Sequence, residues 1–200
     1  MTSMTQTLPD FAAARRAMID SQLRASGVNE EFVLARMNAV AREDFVPEAA
    51  RATAYVDRAI RLGEGKFLPA PVVHGMMLAE AHPVPDDRAL IIDGGSGYLP
   101  ALAGPLVASI AVITPEALLN GGGKPGGFTL VLVDGAIEHV PVALAKLIAE
   151  GGRIVTGLVE RGVTRLATGR KAGGSLGLLT LAEIGIPRLA AFDRPPSWSF

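Results

Sequence analysis

Asp93-Gly94-Gly95-Ser96-Gly97-Tyr98 is the stretch of this chain whose residue types and spacing could do chemistry. The apolar run Leu90-Ile91-Ile92 ends in an acid and passes straight into a glycine cluster. A buried parallel strand hands over to a nucleotide-cradling turn in this way, because glycine tolerates φ > 0 and lets the backbone approach a ligand. A dinucleotide fingerprint, Gly-x-Gly-x-x-Gly, is not met: with Gly95 and Gly97 in place, Pro100 stands where the third glycine belongs. An Asp/Glu-x-Gly-x-Gly-x-Gly turn, of the kind that holds a methyl-donor nucleoside, is nearer. From Asp93 the chain reads as a shortened version of it. A glycine turn that binds nothing is the competing reading.

Three histidines offer further chemistry. His74 lies on an otherwise apolar helix, where a satisfied core or rim histidine competes with a catalytic base. His82 precedes Pro83 and reads as an exposed loop residue. His139 follows Glu138 just beyond a strand ending at Asp134, at the carboxyl end where α/β sites gather, so it is a candidate to line the site. No His-x-x-x-His or acidic cluster has metal-ligand spacing, and no metal is expected. Ser96 is not the serine of a Gly-x-Ser-x-Gly elbow. Lys124 among glycines does not open a helix after a strand, so it reads as a surface turn rather than a phosphate loop. No residue is assigned as catalytic.

The elements that must position these groups follow from periodicity and punctuation. Asp10 can cap a helix running from Phe11 towards Ser26, with Gly27 as its stop. Asn29 is expected to cap a second helix, whose Val33, Met37 and Val40 fall on one face. Pro47 opens a short third helix. Gly63-Glu64-Gly65 is a loop, and Pro69 and Pro71 start a helix whose Val72, Val73, Met76 and Met77 read as core. Pro83–Asp87 is expected to be an exposed turn. Beyond it the chain turns α/β: strands at Ala89–Asp93, Ala108–Thr114, Leu130–Asp134 and Arg153–Leu158, helices at Leu99–Leu106 and Pro141–Glu150. The unbroken apolar strands suit a parallel sheet covered on both faces. Val163–Arg170 and Leu176–Ile184, joined through Lys171–Ser175, read as an antiparallel hairpin, and Asp193–Trp198 as an extended tail. In an open parallel sheet a ligand binds at the carboxyl ends of the strands, which here means Asp93–Tyr98, Thr114 and Asp134–Ile137.

The 200 residues suit one domain, with a helical cap over 1–62 and an α/β core with hairpin over 63–200. A hydrophobic fraction of 49% excludes disorder, and a net charge of -1 gives no reason to expect nucleic acid or an anionic membrane. With no cysteine, thiolate catalysis and disulfides are excluded, and a reducing cytoplasm is the simple expectation. Met1–Asp10 lacks the pattern of a signal peptide. Gly94–Pro115 is uncharged and long enough to span a bilayer, but its glycines with Pro100 and Pro105 would break such a helix. A buried turn, helix and strand fit it better.

Taken in order, several blocks resemble the protein-L-isoaspartate O-methyltransferase family. They are Met18–Arg24, Gly27-Val28, Val33–Met37, Val40–Pro47, Ala54–Asp57 and Leu62–Gly65. Ser96-Gly97-Tyr98, Val133–Ala136, Val140-Pro141, Glu150–Arg153 and Arg194-Pro195-Pro196 extend the likeness over nearly the whole chain. The resemblance implies a Rossmann-like S-adenosylmethionine methyltransferase fold with a helical N-terminal cap and a C-terminal antiparallel hairpin. It implies methyl transfer from S-adenosylmethionine to the free carboxylate of isoaspartyl residues in damaged proteins. Asp93, Gly94, Gly95, Ser96, Gly97, Tyr98, Thr114, Asp134 and Gly135 would face the cofactor, and Pro69, His74 and His139 the substrate.

Four departures from the family accompany the likeness. Either Ile91 stands where the family's first acid sits and Asp93 where its first glycine sits, or one residue is deleted and Asp93 is that acid. Thr114 replaces the carboxylate that accepts from the ribose hydroxyls, with Glu116 two residues late. Between the strands ending at Thr114 and beginning at Leu130 only Pro115–Thr129 remain, too short for the helix, strand and adenine loop the family inserts. The sheet is therefore expected to be reduced by one βα unit. Pro69 falls where the family has a hydroxyl residue, whereas His74 coincides with a histidine of some members. Two readings stay open at this level. One is a working repair methyltransferase acting on isoaspartyl proteins; the other is a silent relative that binds a partner or self-associates.

Overall fold

The computed structural model describes residues 10–122 and 127–194. Lys124 and the Pro195–Trp198 part of the expected tail lie outside them, as do Met1–Pro9. The sheet is built on β3 (Arg88–Ile92), whose last four residues are all buried. Their side chains alternate between two cores. Ala89 and Ile91 join Leu130 and Leu132 beneath the N-terminal helices, and Leu90 and Ile92 join Val131 and Val133 on the opposite face. Coverage on both faces is why this strand reads as an unbroken apolar run.

Six strands of the described residues form this sheet: β4 (Ser109–Ile113), β3, β5 (Phe128–Ile137), β6 (Ile148–Glu160), β7 (Val163–Ala172) and β8 (Ser175–Glu183), in that spatial order. The first four are parallel, and β7 and β8 close it as the expected antiparallel pair. Ile92 pairs with Ile113 on one side and Val133 on the other. The chain leaves β3 towards β4 and then returns past it to β5, which makes the ends of β3 and β5 a topological switch point. Between β4 and β5 lie 14 residues, and the described ones hold one short helix, α5 (Pro115–Leu119).

Helix α1 (Phe11–Met18) starts as expected, with the Ala13 N–H on Asp10 Oδ1 at 2.9 Å. It does not run on unbroken to Ser26. A π-turn over Ile19–Leu23 and a 3₁₀ turn over Arg24–Ser26 intervene, with Ser21 Oγ donating to the Ala17 carbonyl at 2.6 Å. Side-chain back-bonding of this kind loosens the regular ladder. Helix α2 is Glu31–Ala39, and Glu30 rather than Asn29 occupies its cap position. The Glu30 carboxylate instead accepts from the Asn29 N–H at 3.1 Å. Pro47 sits one residue before a 3₁₀ segment, Glu48–Thr53. Val33 and Met37 are buried as expected, and Val40 beyond the helix is half-buried.

The Gly63–Gly65 loop joins a small hairpin, β1 (Ile60–Gly63) and β2 (Lys66–Leu68), that the periodicity did not reveal. Helix α3 (Pro71–Ala81) follows with Pro71 at its first position. It is buried between α2 and the sheet, and Val72, Val73 and Met77 are core as expected. Helix α4 (Tyr98–Ala103) follows β3, and α6 (Val142–Leu147) ends short of Glu150 because β6 already begins at Ile148. No helix of the described residues is long and apolar enough to cross a membrane.

The expected exposed turn at Pro83–Asp87 needs one correction. Asp87 is buried, and its carboxylate takes Arg153 Nη2 at 2.5 Å and Thr129 Oγ1 at 2.7 Å. Arg153 also donates to the carbonyls of Ala81 and His82 at 2.7 and 2.8 Å. One ion pair thus ties β3, β5, β6 and the end of α3 together. Burial pushes the Asp87 pKa up, but hydrogen bonds from Arg153, the Val84 N–H and Thr129, with the Arg153 charge, hold it below the ordinary aspartate value.

Candidate active site

At the end of β3 the chain makes a tight turn into α4. Gly95 (φ +107°) and Gly97 (φ +69°) take left-handed conformations that a side chain would strain. Asp93 Oδ1 closes the turn by accepting the Gly97 N–H at 3.1 Å, and Ser96 Oγ accepts the Tyr98 N–H at 3.2 Å. Burial raises the Asp93 pKa, which the Gly97 N–H partly offsets and the charge of Asp134 reinforces.

Asp134 comes alongside from β5. The ladder to β6 is irregular between Leu132 and Ala136, where Leu132 faces Val155 and Ala136 faces Gly157. Three residues of β5 thus oppose one of β6, and such a bulge re-aims side chains. Asp134 is buried, with Oδ1 2.8 Å from His74 Nε2 and Oδ2 accepting Ser96 Oγ at 3.1 Å. His74, fully buried on α3, has its Nδ1 3.5 Å from Arg42 Nη1. A guanidinium can only donate, so Nδ1 is the acceptor and the ring proton resides on Nε2, facing Asp134. His74 is thus a satisfied core histidine that belongs to the site.

Arg42 is the central group that periodicity alone did not reveal. Arg42-Glu43-Asp44 stands out only as part of the family-like block Val40–Pro47, yet Arg42 is fully buried and Glu43 nearly so. Arg42 Nε donates to the Ala54 carbonyl at 2.7 Å, Nη2 donates to the Pro69 carbonyl, and Cζ lies 5.1 Å from the Tyr98 ring centroid. Burial pulls its pKa down against the opposing pull of Tyr98 and Asp134. Behind it, Tyr55 Oη donates to Glu43 and accepts from the Arg42 N–H at 3.2 Å and Arg15 Nε at 2.7 Å. A continuous polar chain therefore runs from Arg15 through Glu43, Tyr55, Arg42, His74 and Asp134 to Ser96. The only local signal for it was a charged triplet between Val40 and Phe45-Val46, inside a family-like block.

Two side chains crowd the glycines. A methyl group at Gly95 would lie 2.6 Å from Lys66 Cδ on β2, and one at Gly135 would lie 2.5 Å from Leu189 Cγ. Leu189 also reaches Gly94, because the C-terminal segment is hydrogen-bonded to Ala136: Ala136 N to Pro187 O, and Leu189 N to Ala136 O. Neither Lys66 nor Leu189 stood out in the sequence.

The remaining expected site residues divide. Asp93, Gly94, Gly95, Ser96, Gly97, Tyr98, Asp134, Gly135 and His74 come together around the switch point. Pro69 is buried nearby with its carbonyl bound by Arg42. Thr114, at the end of β4, is exposed, and its Oγ1 accepts the Ala117 N–H at 3.2 Å as the cap of α5. Glu116 is exposed in the first turn of that helix. His139 lies away from this cluster and lines a different cleft with Glu138, Arg161 and Arg188.

Comparison with known proteins follows the same lines. A family model for protein-L-isoaspartate(D-aspartate) O-methyltransferase matches residues 13–117, just over half of the chain. A protein-L-isoaspartate O-methyltransferase of Koribacter versatilis is 32% identical over 193 residues, covering 84% of this chain and 87% of its own. One from Roseiflexus sp. is 32% identical over 199 residues, covering 88% and 91%. Among solved structures, a Plasmodium falciparum protein-L-isoaspartate O-methyltransferase in complex with S-adenosyl-L-homocysteine superposes with TM-score 0.68 at 18% identity, over 91% of this chain and 99% of that one. Another protein-L-isoaspartate O-methyltransferase gives TM-score 0.71 at 15% identity, over 88% and 65%. These two likenesses show the Rossmann-like methyltransferase fold. With the curated relatives and the matching family model, they show that this chain belongs to the protein-L-isoaspartate(D-aspartate) O-methyltransferase family.

Proposed function

We propose that the protein is an S-adenosylmethionine-dependent methyltransferase that esterifies the carboxylate of isoaspartyl residues in proteins. The observation that carries this reading is the His74–Asp134–Ser96 cluster, with both ring nitrogens of His74 and both oxygens of Asp134 already engaged. No member of this cluster is left idle as a base for a hydroxyl or amine. A carboxylate needs none, because its ordinary pKa near 4 leaves it anionic at neutral pH. Positioning is then the main contribution of the protein.

The turn fits the amino-acid end of the cofactor, since its glycines bring backbone close to the surface; the Lys66 stem packs beside Gly95 while its ammonium pairs with Glu64 at 3.3 Å. When bound, S-adenosylmethionine supplies the sulfonium methyl group. Asp93–Tyr98 and Asp134-Gly135 would hold it, with His74 and Pro69 towards the acceptor. Asp134 acts by fixing the Ser96 turn against α3, and Arg42 by fixing the Pro69 carbonyl and the Tyr98 ring.

The far end of the cofactor fits less well. Thr114 has no carboxylate and is spent on capping α5, and Leu189 rests on Gly94 and Gly135. A missing charge-assisted hydrogen bond of about 1.5–3 kcal/mol lowers affinity on the order of a hundredfold. Cofactor binding is therefore expected to be weak. Damaged proteins are the partners, and the cysteine-free composition suits a reducing cytoplasm. Calorimetric titration with S-adenosylhomocysteine tests the reading: saturable binding between micromolar and millimolar supports it, and silence at millimolar concentration contradicts it.

A further inference from the structure

A second cleft, about 1000 Å³ in volume, opens where the β6–β7 turn faces the C-terminal segment. It is separate from the glycine turn. Ala136 is bridged to Arg188, so the C-terminal segment forms the wall between the two, with Arg188 on the cleft side and Leu189 against Gly94 and Gly135. Nothing in the methyl-transfer reading uses this cleft.

Its lining is charged in a specific way. Four arginines, Arg161, Arg165, Arg188 and Arg194, surround it, against two acids, Glu138 and Glu160. The acids are committed: Glu160 to Arg165 at 3.2 Å, and Glu138 to Arg188 at 2.6 Å and to the Arg194 N–H at 2.7 Å. Arg165 and Arg188 are further tied to Glu183 and Asp193. Among the described residues Arg161 and Arg194 make no side-chain ion pair, so the cleft presents two uncommitted guanidinium groups in a chain of net charge -1. Arg161 is also held at φ +52°, in a turn position that Asn or Gly would occupy with less strain. The floor between the arginines is apolar, formed by Leu158, Val159 and Leu178.

We propose that this cleft binds an acidic, apolar-patterned segment of a polypeptide, with carboxylates on Arg161 and Arg194 and apolar side chains on Leu158 and Leu178. Guanidinium groups match carboxylates bidentately, and the apolar floor adds burial that a bare polyanion could not use. A nucleic acid is disfavoured by Glu138 and Glu160, whose carboxylates stand among the arginines. The binding is independent of the methyl donor and does not rest on the proposed methyl transfer.

Fluorescence anisotropy with a labelled octapeptide of alternating glutamate and leucine tests this on the full chain, without any cofactor. Saturable binding is expected, weakening more than tenfold between 50 and 300 mM salt. The double variant R161N/R194A should lose at least tenfold in affinity, while R58A, an exposed arginine elsewhere, should lose none. Asn suits the turn at 161, and an unchanged melting curve of the double variant would show that the loss is not unfolding. Equal binding of a lysine–leucine peptide, equal affinity of the double variant, or tighter binding of a single-stranded oligonucleotide than of the acidic peptide would each overturn the proposal.

Discussion

His74 Nε2 and Asp134 Oδ1 meet at 2.8 Å with neither side chain exposed to water, joining α3 to the carboxyl end of β5. A buried charged partner is costly to strand, whatever the net worth of the pair. Asp134→Ala leaves the His74 N–H and the Ser96 hydroxyl without their acceptor. We expect a loss of about 3 kcal/mol, read as a lower urea midpoint at unchanged slope. A midpoint equal to the parent's would show that the pair does not organise the site.

Arg42→Met should be comparably destabilising, by roughly 3 kcal/mol, since it frees the Ala54 and Pro69 carbonyls in a dry interior. Arg42→Lys should recover only part of this. A lysine carries the charge but cannot serve two divergent carbonyls while lying over the Tyr98 ring. Full recovery by lysine would mean that charge alone matters at this position.

How far such groups were legible in advance varies by element. The strands of the six-stranded sheet, the Asp10 cap, the Gly27 stop and the β7–β8 hairpin follow from local chemistry, and local chemistry is written in neighbouring residues. The buried fate of Arg42 and Asp87 is not local. Each becomes tolerable in the interior only through partners far along the chain, Pro69 and His74 for one and Arg153 for the other. Leu189 escaped notice for the same reason: its role depends on the Ala136 bridge, 53 residues earlier. The family resemblance located the block containing Arg42 without indicating that its guanidinium is the hub.

The two perturbed aspartates should respond to acid in opposite senses. The Asp87 pKa is depressed in the folded protein, so its stabilising contribution is present above the unfolded value near 3.9 and is lost as pH falls through the folded value. The Asp93 pKa is raised, so the ionised carboxylate weakens the fold as pH rises through its folded value. Asp93→Asn, which can still accept from Gly97, should therefore raise the melting temperature at pH 7 but not below about pH 4. A melting temperature lowered at pH 7 would contradict this.

Gly95→Val should abolish S-adenosylhomocysteine binding while the fold still unfolds cooperatively, since it disturbs the turn and Lys66 but no core strand. Leu189→Ala should act in the other direction. It clears the space over Gly94 and Gly135, and affinity should rise several-fold at a stability cost of about 1–2 kcal/mol. Unchanged affinity in both variants would place the cofactor elsewhere.

The N-terminal 62 residues are proposed to be a cap rather than an independent unit, because Val33 and Met37 are buried in the same core as Leu78, Ile91 and Leu132. A chain ending at Gly63 should show no cooperative thermal transition. A sharp transition would make the cap a domain in its own right.

The central claim is tested most directly by transfer of labelled methyl from S-adenosylmethionine to a peptide containing isoaspartate, with its aspartyl twin as control. The account predicts base-labile label in the isoaspartyl peptide alone, and a half-saturating cofactor concentration on the order of a hundredfold above that of the Koribacter versatilis relative assayed beside it. Equal labelling of the two peptides, or no labelling at millimolar cofactor, would contradict it.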